Sequence, residues 1–156
     1  MDRLLNEIMK LAAKALEGAE EILKITEEMK KHIKNKDVDA LSRAIRMRQE
    51  KIDEADSVNK EVKEKTDELL KQHSIESLEE IDRKNHPQAE EILDIRRKIK
   101  LAYNKALQMD KANYGKAENL LNEYKDAIKD LHANKKAMRV YGGNKERQSI
   151  LIDETK

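Results

Sequence analysis

Seam residues, most of them apolar, recur at steps of three and four along almost the whole chain, and this pattern is interrupted in only two places before Tyr141. A seam of that spacing lies along one face of an α-helix and cannot be presented by a strand. The first seam, from about Asp2 to Lys34, is Leu4, Ile8, Leu11, Ala15, Ala19, Ile22, Thr26, Met29 and Ile33. "NKD" (Asn35 to Asp37) ends it, and Asp37 is a suitable N-cap for a second helix. So short a link predicts an antiparallel hairpin. The second seam, from about Val38 to Gln72, is Val38, Leu41, Ile45, Arg48, Ile52, Ala55, Asn59, Val62, Thr66 and Leu69. Its seven-residue period predicts coiled-coil-like packing, with Asn59 setting the register and Arg48 snorkelling outward.

The second break is "HSIESLEEIDRKNHP" (His73 to Pro87), where Ser74 is placed to cap a short helix over about 75–83 carrying Ile75, Leu78 and Ile81. That helix would lid one end of the bundle and reverse the chain. Pro87, the single proline, sits where a helix accepts it, at the first helical position. No strong breaker occurs from there until Gly142. The last seam is Ile92, Ile95, Ile99, Ala102, Ala106, Met109, Asn113, Ala117, Leu120, Tyr124, Ala127, Leu131, Asn134, Met138 and Tyr141. The expected fold is therefore all-α: an elongated antiparallel helical bundle over 1–141 with a long C-terminal helix, and then a tail over 142–156. Two glycines and a polar composition predict that this tail is disordered, with Ile150, Leu151 and Ile152 as its only candidates for docking on a groove or a partner.

Length then becomes informative. At 1.5 Å per residue the first two helices would each run roughly 50 Å, and 87–141 roughly 80 Å. A straight last helix would outrun its neighbours, unless it bends near Asn113 to Gly115, where glycine weakens a helix by about 1 kcal/mol relative to Ala. Its second half carries Leu120, Leu121, Tyr124, Ile128, Leu131, Met138 and Tyr141, and these residues are the candidate protein-binding face. Met adapts to varied partners, and Tyr combines a large apolar body with a polar tip.

Composition excludes several classes of function. With 42% charged residues, no Phe and no Trp, the core must be built from aliphatic side chains. A net charge of +1 provides no field for nucleic acid or an anionic membrane, and "MDRLLNEIMK" is too charged for a signal peptide or a membrane span. No cysteine is present, so thiolate metal sites and disulfides are excluded, in agreement with a cytoplasmic protein. His32, His73, His86 and His132 lie in different segments, with neither an H-E-x-x-H nor a Glu-x-x-His motif. No Gly-rich phosphate loop and no nucleophile elbow occurs. The sharpest basic cluster, "RRKIK" (Arg96 to Lys100), is interrupted by no aromatic and has Glu90, Glu91 and Asp94 nearby, as on a solvated face. The expectation is a protein that is not an enzyme and takes no metal or cofactor.

Two stretches carry a resemblance to a known family. "DALSRAIRMRQEKIDEADSVNKE" (Asp39 to Glu61) looks like the second helix of the bacterial flagellar export chaperones of the FlgN and FliT families, through Leu41, Arg48, Gln49, Ile52, Asp56 and Asn59. "LHANKKAMRVYG" (Leu131 to Gly142) is similar to the Lys-rich, Tyr-ended last helix of the same group. Chain length and the tail ending "SILIDETK" resemble FlgN more than FliT. The resemblance implies a cytoplasmic chaperone that covers helical segments of hook-associated proteins and delivers them to components of the type III export apparatus. The alternative is a structural or self-associating coiled-coil protein, a homodimer through the same face. Asn113, Ala117 and Asn134 in the last seam favour a weaker, exchangeable contact over a permanent coiled coil.

Overall fold

The computed structural model describes residues 1–141, so the expectations for Gly142–Lys156, including the docking of Ile150, Leu151 and Ile152, lie outside the described residues. The described residues form helices α1 (Asp2–Lys34), α2 (Val38–His73) and α3 (Pro87–Tyr141), with one 3-10 turn (Leu78–Glu80) between the last two and no strand among them. The chain divides into two units, Met1–Tyr114 and Gly115–Lys156. α3 contributes to both and stays α-helical through Asn113 to Gly115.

In the first unit the helices pack side by side. The hairpin forms as expected: the Asp37 carboxylate accepts a hydrogen bond from the Ala40 N–H at 3.0 Å and starts α2. Lys65 pairs with Glu7 at 3.3 Å and Lys51 with Glu21 at 3.2 Å, which makes α1 and α2 antiparallel. The first half of α3 runs parallel to α1. Gln88 reaches Asn6 at 3.3 Å near its start, while Asp110, further along, shares Arg48 with Thr26.

The α1 seam is the expected one from Ala15 to Met29 and differs in its first turns. Leu5 and Ala12 are buried, while Leu4 and Leu11 are only half-buried, so the buried row is Leu5, Ile8, Ala12, Ala15, Ala19, Ile22, Thr26 and Met29, with Ile25 buried beside it. That row keeps the alternation of three and four. Neighbours on two sides decide which of two adjacent apolar rows turns inward. In α2, likewise, Ala44 is buried and Ile45 is exposed.

Two polar expectations are corrected. Asn59 is exposed, so it sets no register. Arg48 does not snorkel outward. Its guanidinium is half-buried, donates to Thr26 Oγ1 at 3.3 Å and pairs with Asp110. Thr26 in turn donates to the Ile22 carbonyl at 2.8 Å. The same device recurs at Thr66, which donates to the Val62 carbonyl at 2.7 Å and accepts from Arg96 at 3.3 Å. A threonine satisfied within its own turn can still accept an arginine from a neighbouring helix, so these buried hydroxyls tie helices together without an unpaired polar group.

The expected short helix over 75–83 contracts to the single turn Leu78–Glu80, and Ser74 does not cap it. Ser74 instead ends α2 in the left-handed conformation, at φ 53°. The turn is started by Glu80, whose carboxylate accepts the N–H groups of Glu76 and Ser77 at 3.0 Å each. Extended backbone at Ser77 and Ile81 leaves no room for a longer helix. The lid itself is present: Leu78 and Ile81 close a core with Leu5, Ile8, Leu69, Ala89, Ile92 and Leu93.

Toward the middle of the unit the core is built from small residues, among them Ala15, Ala19, Ala55, Ala102 and Ala106. A Cβ added at Gly18 would lie 3.8 Å from that of Ala55, an ordinary contact distance. Gly18→Ala is expected to stabilise the protein by about 1 kcal/mol, raising Tm by about 2 to 4 °C in a thermal melt. A lower Tm would show that the helices cannot admit the methyl group.

The surface ion pairs give a pH dependence. Lys65, and after it Arg3, hold the Glu7 carboxyl below the ordinary carboxylate range. A carboxylate depressed in the folded state contributes stability that is fully present above the ordinary carboxylate range and is lost as pH falls through the lower folded value. Glu7→Gln is therefore expected to lower Tm slightly at pH 7 and to flatten its fall below pH 4, as read by melts from pH 2 to 7. An unchanged acid limb would place the acid sensitivity elsewhere.

Candidate protein-docking face

In the second unit α3 continues from Gly115, where an added Cβ would meet nothing within 4 Å. At about 100° per residue, Leu121, Tyr124, Ile128, Leu131 and Met138 fall on one stripe of this helix. Tyr124 is 47% exposed, Ile128 39%, Leu131 46% and Met138 51%. Leu121 is half-buried. Leu120, expected on the same face, is buried at 8% exposure, so the accessible stripe begins one residue later. The side chain of Tyr141 lies outside the described residues. Other large exposed apolar side chains, such as Met47, Leu101, Leu107 and Tyr114, have no large apolar neighbour three or four residues further along. Scattered exposure of that kind is normal on a soluble surface, whereas a row at helical spacing marks a place where another surface fits.

The charges of this segment differ from those of the bundle. In the first unit, opposite charges meet at helical spacing, as in Arg3 with Glu7 at 3.2 Å and Asp94 with Arg97 at 3.1 Å. Among described residues 115–141 no ion pair forms. Lys125, Lys129, His132, Lys136 and Arg139 are all exposed. Apolar spacing alone does not reveal this basic row. Its signal in the sequence is the stacking of like charges four residues apart.

The other sequence candidates resolve into structural roles. The "RRKIK" cluster borders a surface groove of about 270 Å³ lined by Glu79, Arg83, Leu93, Arg96, Arg97 and Lys100. Arg83 is held by Glu90 at 3.2 Å, Arg97 by Asp94, and Arg96 reaches Thr66. The Glu79 carboxyl, held low first by its own backbone N–H and then by Ser77, adds a negative charge to the same wall. His86 Nδ1 lies 2.6 Å from an Asp2 carboxylate oxygen, where it ties the start of α3 to that of α1. Among the described residues no group of three or more His, Cys, Asp or Glu side chains is arranged to hold a metal ion, and no helix is long and apolar enough to cross a membrane.

No protein-family model matches the chain, and no curated protein or solved structure shows significant similarity to it.

Proposed function

We propose that this chain is a non-catalytic binding protein that covers an amphipathic helical segment of a partner with the exposed stripe of α3. The observation that carries this reading is the row Tyr124, Ile128 and Leu131, each more than a third exposed and spaced as a helix-in-groove contact requires. The resemblance of Asp39–Glu61 and Leu131–Gly142 to FlgN-type proteins supports a specific setting: a cytoplasmic flagellar export chaperone whose clients are hook-associated proteins. Such a chaperone keeps a client's assembly helix covered until export and performs no bond chemistry. It needs a binding face and a stable bundle to carry it.

The test is to mix the full chain with purified hook-associated proteins, with a photo-crosslinking residue in place of Ile128 or, as a control, of Met47. Crosslinks to a terminal helical segment of the client from the Ile128 position alone are expected. Crosslinking from Met47 instead would move the face to α2. A stable complex with no crosslink from Ile128 would overturn the site, and the absence of any complex would overturn the flagellar setting.

A further inference from the structure

Positions on the α3 stripe are followed immediately by a basic residue in five places: Lys125 after Tyr124, Lys129 after Ile128, His132 after Leu131, Lys136 after Lys135 and Arg139 after Met138, the half-buried Lys135 standing in the stripe itself. One residue is about 100° of helix, so the basic row runs along one edge of the apolar stripe. Glu123 and Asp130 precede stripe residues and so lie toward the other edge, with Asp126 near the back of the helix. From Leu121 onward the segment is thus apolar on one face, basic on one flank and acidic away from it, while Glu118, two turns before Lys125, stands at the head of the basic flank.

This segregation works against the isolated helix. Lys125 and Lys129, Asp126 and Asp130, and Lys135 and Arg139 are like charges four residues apart, and each such pair destabilises an isolated helix. Asp126 and Lys129 are the one opposite pair at three- or four-residue spacing among described residues 115–141, and they form no ion pair. The helix dipole favours cations only in the last turn, which accounts for Arg139 but not for Lys125, Lys129 or His132. A row of exposed cations maintained at this cost, beside an exposed apolar stripe, has the form of one half of a charge-complementary interface.

We propose that the partner of this face is an amphipathic helix whose apolar stripe is bordered by aspartates and glutamates, set against Lys125, Lys129, His132, Lys136 and Arg139. The inference rests on the docking reading above and specifies the chemistry of the occupant. A second copy fits less well: an antiparallel copy opposes basic edge to basic edge, and a parallel copy brings only Glu123 and Asp130 to meet five basic residues. An anionic membrane also fits less well. A helix lying in such a surface carries cations on both flanks, whereas here Glu123 and Asp130 occupy the second.

Two synthetic peptides of about 20 residues with the same Leu/Ile stripe at helical spacing, one edged with Glu and the other with Lys, test this on the full chain by fluorescence anisotropy. The Glu-edged peptide is expected to bind at least about tenfold more tightly at low ionic strength, with the advantage shrinking as salt is added. Lys125→Glu with Lys129→Glu and Lys136→Glu is expected to invert the preference. If circular dichroism shows that this variant loses helix, the three Lys→Gln substitutions replace it and must bring the two peptides to near equality. Equal binding of both peptides to the unaltered chain would overturn the acidic edge while leaving the docking face intact. Binding of neither would overturn both. A preference unchanged by the substitutions would place the charge recognition elsewhere and overturn the proposal. Binding of phosphatidylserine vesicles in preference to the Glu-edged peptide would assign the face to a membrane. A sedimenting dimer that Leu131→Asp dissociates, with no peptide bound, would assign it to a second copy.

Discussion

Truncating Leu78 to Ala is expected to destabilise the protein by about 2 to 5 kcal/mol, the range for removing a fully buried leucine side chain. Leu78 sits in the 3-10 turn between α2 and α3 and is 1% exposed, in contact with a cluster drawn from α1, α2, the turn and the start of α3. Because four separate segments border the site, it cannot collapse by the movement of any one of them, and the cavity cost adds to the lost transfer energy. A domain holds only about 5 to 15 kcal/mol in all, so the variant stands close to the edge of folding. Urea unfolding with Ile45→Ala as the control separates this from a generic loss of apolar surface. Ile45 is exposed, and its truncation is expected to cost less than about 1 kcal/mol. Equal midpoints for the two variants would mean that the turn does not close the core.

The opposite pattern is expected on the second half of α3. Tyr124→Ala combined with Leu131→Ala should leave Tm almost unchanged, since surface substitutions stay within about 0.5 kcal/mol each. Binding of the proposed helical partner should weaken by about 2 to 4 kcal/mol if the two side chains are the anchors of the interface. Titration calorimetry against a hook-associated protein, with thermal melts on the same samples, reads both quantities. Retained binding would remove these residues from the docking face. Loss of binding together with a fall in Tm of many degrees would make them part of the fold. Leu78→Ala and the double variant thus form a pair, one acting on folding with the face intact, the other on binding with the fold intact.

The positions of helix ends were legible from single residues. Asp37 caps α2 and Pro87 opens α3, because an acceptor side chain and a ring without an N–H each suit a helix start on local grounds. Ser74 misled because serine serves either end of a helix. At φ 53° it closes α2, and the next turn is organised by Glu80. The candidate face was legible as apolar residues at steps of three and four, but spacing treats Leu120 and Tyr124 alike although one is buried and the other 47% exposed.

The sequence by itself determined that the described chain is helical, where the helices begin, and that α3 carries apolar residues far along its length. These are local properties, settled by backbone propensity, caps and a period of 3.6. Only the tertiary structure decided that Leu5 and Ala12 turn inward ahead of Leu4 and Leu11. It also paired Arg48 with Thr26, 22 residues away, and with Asp110, 62 residues away, and left Asn59 exposed. A helix defines which residues share a stripe, but which stripe is covered depends on surfaces brought from distant parts of the chain, and burial and pairing energies exist only once those surfaces meet.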